Sequence, residues 1–203
     1  MNTDDRLLQR FEATGKAASR YLYLLLISAA FFLAIDRRLA TDPKFAGQIL
    51  GVPAVELAFE AEVIWMMSPI ILGVVLLAVL GTLSAATSAW QRMRERDAFK
   101  DEAWEVMDTT PNLIDFAVFA THKTPRLGRT AALLSYPLVL TSASVLCGYL
   151  TVRVWQWNLR PSWRWAVVAC SAGMLFPIAW RVVRLWRRKL TDIGGVWQGR
   201  QAI

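Results

Sequence analysis

The sequence predicts an all-α integral membrane protein: four transmembrane helices, a small external β-hairpin-like loop and a helical cytoplasmic extension. Three observations predict it. Of the 203 residues, 55% are hydrophobic and only 19% are charged. The mean hydropathy is +0.34. The uncharged residues also gather into four long runs, Tyr21 to Ile35, Val63 to Gln91, Thr130 to Val152 and Trp165 to Trp180. A soluble domain carries about 45–50% apolar and about 25% charged residues, and disorder requires low hydrophobicity.

A hydrocarbon core of about 30 Å needs about 20 helical residues. The two middle runs are long enough alone. The outer two are extended by Lys16 and Arg20 and by Arg164 and Arg181, whose long side chains can snorkel to headgroups. The predicted spans are 17–35, 63–89, 130–153 and 163–183, in one four-span domain covering 1–203. Between them lie an external loop at 36–62, a cytoplasmic platform at 90–129 and a basic tail at 184–203.

The first span follows Asp4, Asp5 and Glu12 and is not followed by a good small-residue cleavage site, so it reads as an uncleaved anchor. In the external loop, Val55, Leu57, Phe59, Ala61 and Val63 alternate with Glu56, Glu60 and Glu62, which is strand periodicity. Gln48 to Leu50 is the expected partner strand, with the turn at Gly51 to Ala54. Glu56 and Glu60 are also four apart, which leaves a short amphipathic helix as the alternative.

The second span is expected to continue as a helix to about Asp108, with its charges separated by sign. Arg92, Arg96 and Lys100 form one ridge, and Asp97, Asp101, Glu105 and Asp108 another, with Met93, Trp104 and Met107 between. Like charges at i,i+4 destabilise a lone helix by about 0.2–0.5 kcal/mol per pair. Arg92, Arg96, Lys100, Asp97, Asp101, Trp104 and Glu105 are therefore the candidate docking surface for a cytosolic protein, a solvated face being the plainer reading. Thr110 and Pro111 look like an N-cap and first position for LIDFAVFATH, which is too short to span. His122 has no Cys, carboxylate or second His beside it, and no phosphate loop or hydrolase motif occurs. Cofactor, metal and catalytic residues are all expected to be absent.

In the third span Thr141, Ser144, Gly148 and Thr151 recur at helical spacing, and in the second Gly81 and Ala85 do so beside Ser84 and Ser88. Small residues let helices approach closely in a membrane. Helix packing, within the chain or between copies, is the expected role, and a hydroxyl-lined oligomeric pore is the alternative. No span carries an ionisable group at its centre, which disfavours ion-coupled transport.

After the fourth span come Arg181, Arg184, Arg187, Arg188 and Lys189, a set suited to anionic lipid headgroups. Direct nucleic-acid binding is disfavoured, since Trp186 alone is no stacking platform. The end from Ile193 is expected to be mobile. Eight of the ten tryptophans fall at span ends, as an interfacial belt would place them. The N-terminal segment, central loop and tail hold 17 Lys+Arg and the other two connections 6, which predicts both termini in the cytoplasm of a plasma membrane, bacterial inner membrane on this plan.

In span plan this chain resembles small membrane subunits of bacterial multi-protein systems, including anti-phage systems such as Kiwa. The resemblance covers the layout and no diagnostic residues. The charge-separated helix and the absence of catalytic motifs lead to a non-enzymatic scaffold or sensor subunit that contacts lipids, forms homo-oligomers and docks a cytosolic protein, with an oligomeric pore as the alternative; the resemblance implies only the setting, antiviral defence in bacteria.

Overall fold

The computed structural model describes residues 3–51, 58–94, 126–156 and 161–197. Helix α1 spans Thr3–Thr41. A short 3-10 helix at Pro43–Gly47 leads into β1, Ile49–Gly51, and β2, Ala58–Glu60. Then come α2 at Ala61–Arg94, α3 at Arg126–Gln156 and α4 at Pro161–Trp197. All four helices are long and apolar enough to cross a membrane, through Gln9–Thr41, Ala61–Ala86, Pro137–Gln156 and Arg164–Arg187.

α2 is the hub of the bundle. It packs along α1 on one side and against α3 and α4, themselves paired, on the other. Its sequence fits that place, because a helix that is apolar all round can pack against neighbours on several faces. Half of its most apolar window is buried, against 22% for that of α4. The core runs through Leu72, Leu76 and Val79 of α2, Leu25 and Leu39 of α1, Leu140, Cys147 and Leu150 of α3 and Ile178 of α4. Gly73 lets α4 come close: a Cβ there would lie 3.3 Å from the Met174 sulfur.

The ends of α1 and α3 and the starts of α2 and α4 share one side of the bundle, called here the hairpin side. The Asp42 carboxylate caps the 3-10 helix by accepting from the Lys44 amide at 3.0 Å, and Phe45 from that turn is buried. β1 and β2 pair antiparallel, with Ile49 opposite Glu60, Leu50 opposite Phe59 and Gly51 opposite Ala58. The hairpin is thus present, with β1 one residue later than predicted, so that Gly51 belongs to the strand and not the turn, and with β2 ending at Glu60 rather than Val63. Ala61 to Val63 are helical, not extended. The buried positions 61, 64, 65 and 68 continue at helical spacing, and three alternating residues cannot distinguish the two periods. The expected turn and Val55 to Leu57 fall largely at 52–57, outside the described residues.

The helices outrun the predicted spans. Charges interrupt an apolar run without stopping a helix, so α1 begins at Thr3 and continues past Ile35 to Thr41, taking the start of the predicted loop with it. α4 continues through Gly194 and Gly195 to Trp197, where a mobile end was expected. α2 is helical to Arg94, and the rest of the charged platform, 95–125, lies outside the described residues.

Candidate functional site

The buried face of α1 carries Ala18, Leu22, Leu25, Phe32, Ile35 and Leu39, spaced by three, four or their sums. Asp36 stands on that same stripe and is only 6% exposed. An ionised carboxylate in such a place is costly unless donors surround it. Donors from two other helices do so. The Trp65 indole N–H donates to Oδ1 at 3.0 Å, and the Tyr149 hydroxyl donates to Oδ2 at 3.0 Å. The Arg153 Nε–H reaches Oδ1 at 3.4 Å, long for a hydrogen bond, so its charge matters more than its geometry.

Local sequence positions each donor. Trp65 lies in the first turns of α2 and is fully buried against the end of α1. Tyr149 and Arg153 are four apart on α3, one above the other on one face. One carboxylate therefore joins α1, α2 and α3, toward the end of the bundle that carries the hairpin. Tyr149 and Arg153 are partly exposed, which leaves the site a flank open to its surroundings. Among the described residues, no group of three or more His, Cys, Asp or Glu could hold a metal ion. The arrangement can fix the relative positions of three helices and change them if a donor is drawn away. Compared with protein-family models, curated proteins and solved structures, the chain has no match.

Sequence reasoning assigned Asp36 to the loop because it ended the first span at the first charge. The signal was present in the spacing of the apolar stripe, which places 36 with 25, 32 and 39. Trp65, at the start of the second predicted span and so one of the eight expected in an interfacial belt, is instead an interior donor. Trp155, Trp165 and Trp180 are exposed, as a belt requires.

The predicted α3 stripe lies beside the buried seam. The seam is Leu140, Ala143, Cys147, Leu150 and Val154, whereas Thr141, Ser144 and Gly148 are half-buried and only Thr151 is buried. The hydroxyls of Thr141, Ser144 and Thr151 donate to the carbonyls of Pro137, Leu140 and Cys147 in their own helix. Thr141 Oγ1 also accepts the Trp186 indole N–H at 2.7 Å, tying α4 to α3 near the side opposite the hairpin. Cβ atoms added at Gly81 or Gly148 would meet nothing within 4 Å, so neither serves a close approach within the chain. Ala85 is half-buried.

Of the predicted docking residues, Arg92 is described and exposed. Arg96, Asp97, Lys100, Asp101, Trp104 and Glu105 lie outside the described residues, as do the 111–122 segment and His122. In the tail, Arg181, Arg184 and Arg187 are exposed on α4, and Arg188 and Lys189 continue the same helix.

Proposed function

We propose that the chain is a non-enzymatic membrane scaffold or sensor subunit, inserted through its four helices with the hairpin outside and both ends in the cytoplasm. It assembles with copies of itself and docks a cytosolic protein on the platform from Trp90 to Arg129. The observation that carries this reading is the Asp36 hub. A contact that displaces the hairpin would act near the point where α1, α2 and α3 are joined, and α2 runs continuously from there to Arg94, inside the first residues of the charged platform.

Two further features support it. The exposed basic residues are concentrated away from the hairpin, at Arg6, Arg10, Lys16, Arg20, Arg92, Arg181, Arg184 and Arg187, against Arg37, Arg38 and Lys44 beside it. The open flank of Gly148 leaves the α3 stripe available to a neighbouring copy. Service in a multi-protein bacterial defence system is the setting that the span plan favours.

Gentle detergent purification, with mass and composition of the complex as readout, tests the proposal. An oligomer carrying a cytosolic protein is expected, and reversing the charges of Arg92, Arg96 and Lys100, or of Asp97, Asp101 and Glu105, should release that protein. If both reversals leave the assembly unchanged, the docking surface is wrong. A chain that carries no partner but gives stable conductance in a reconstituted bilayer would make it an oligomeric pore. Carbonate extraction of the chain from membranes would overturn insertion itself.

A further inference from the structure

Packing fixes the rotation of α4. Val167, Ser171, Ile178 and Val182 are buried, and the Trp186 indole is held by Thr141. At about 100° per residue the opposite face is centred on Ala169, Phe176, Trp180 and Val183, all exposed, with Phe176 at 77% and Trp180 at 65%. Continuing that face by one turn reaches Arg187, with Arg184 beside it and Arg181 further round the flank. All three are exposed. The helix continues past them to Trp197, so the arginines project from a formed helix.

Depth agrees with rotation. On the same face, exposed Trp165 marks the other end of the span, and it is separated from Arg184 by about 29 Å along the axis at about 1.5 Å per residue. That is about one hydrocarbon thickness. Trp165 and Trp180 then sit near opposite interfaces, and Arg184 and Arg187 lie about 6–10 Å beyond Trp180, at phosphate level.

We infer that α4 carries a binding site for an anionic phospholipid, its acyl chain along Phe176 and Trp180 and its phosphate held by Arg184 and Arg187. This refines the broader basic cluster legible in the sequence by selecting two arginines that continue the apolar face. A guanidinium is permanently charged and matches phosphate oxygens in pairs. An acidic protein would also meet two arginines, but the apolar strip leading into them favours a ligand with an acyl chain. The site requires membrane insertion and neither the scaffold reading nor the direction of insertion.

The test is native mass spectrometry of the full-length protein released from nanodiscs of mixed phosphatidylglycerol and phosphatidylcholine. Wild type is expected to retain phosphatidylglycerol preferentially. Arg184→Gln with Arg187→Gln should weaken that retention by about 30-fold, from about fivefold per charge, while Arg184→Lys with Arg187→Lys, which keeps the charge and loses the paired contact, should fall between wild type and the glutamine variant. Arg37→Gln, on the hairpin side, should change nothing. Equal retention of the two lipids by wild type, or an undiminished preference in the double glutamine variant with native helicity, overturns the site. Loss of a bound acidic protein from that variant with lipid preference intact would overturn it in favour of a protein surface.

Discussion

The carboxylate of Asp36 accepts the indole N–H of Trp65 at 3.0 Å, both side chains being buried where α1 meets α2. The bond crosses from the last turns of one helix to the first turns of the next, bracketing the hairpin between them. Tyr149 and Arg153 bring α3 to the same carboxylate. Losing one donor leaves the others in place, whereas losing the acceptor removes all three contacts at once.

The expected order of destabilisation follows. Asp36→Ala should cost about 3 kcal/mol, the lower end of the range for breaking a buried pair, because Arg153 is 27% exposed and can turn to solvent. Asp36→Asn keeps the shape but directs an amide N–H at a donor, and about 2 kcal/mol is expected. Trp65→Phe and Tyr149→Phe each remove one hydrogen bond and retain a ring, at about 1 kcal/mol. Unfolding free energies in mild detergent check the series. A Tyr149→Phe cost equal to that of Asp36→Ala would mean that Asp36 is not the shared element.

The four described helices that are long and apolar enough to cross a membrane were legible because apolar content is a one-dimensional property of the chain. The hairpin was legible to within two or three residues, since Gln48 to Leu50 and Phe59 keep strand character. What the sequence concealed is what depends on rotation and pairing. The α3 stripe of small residues announced a packing face, yet the neighbouring Leu140, Cys147, Leu150 and Val154 join the buried core, and of the stripe only Thr151 is buried. Asp36 was concealed by its charge, which ends an apolar run in any scan although three donors satisfy it in space.

The Trp186 to Thr141 contact predicts a measurable coupling. Thr141 Oγ1 serves two bonds at 2.7 Å, donating to Pro137 and accepting from Trp186. Trp186→Phe and Thr141→Val should each cost about 1 kcal/mol, and the double variant less than their sum. A double-mutant cycle gives the coupling energy directly, and about 0.5–1.5 kcal/mol is expected. Strict additivity would mean that the pair does not interact in solution.

Ser68 makes the opposite prediction. Its side chain is fully buried in α2, and its hydroxyl has no partner among the described residues. A buried hydroxyl without a partner is a cost, and alanine nearly matches serine in volume. Ser68→Ala should therefore leave the melting temperature unchanged or raise it. A clear fall would reveal a hydrogen bond to a group outside those residues.

The glycines separate packing within the chain from packing between copies. At Gly73 an added Cβ would lie 3.3 and 3.4 Å from the sulfur and terminal methyl of Met174, the flexible end of a side chain. Gly73→Ala should thus stay within about 1 kcal/mol, helped by the better helix propensity of alanine. Gly73→Leu would wedge α2 from α4 and should cost about 1–3 kcal/mol, as overpacking does. At Gly148 and Gly81 nothing lies within 4 Å of an added Cβ, so alanine should be neutral or stabilising for a single chain. Analytical ultracentrifugation in detergent supplies the second readout. If Gly148→Leu lowers the oligomer mass while leaving helicity and protomer melting intact, the α3 stripe is a contact between copies. If mass and melting are both unchanged, that stripe faces lipid and copies must meet elsewhere.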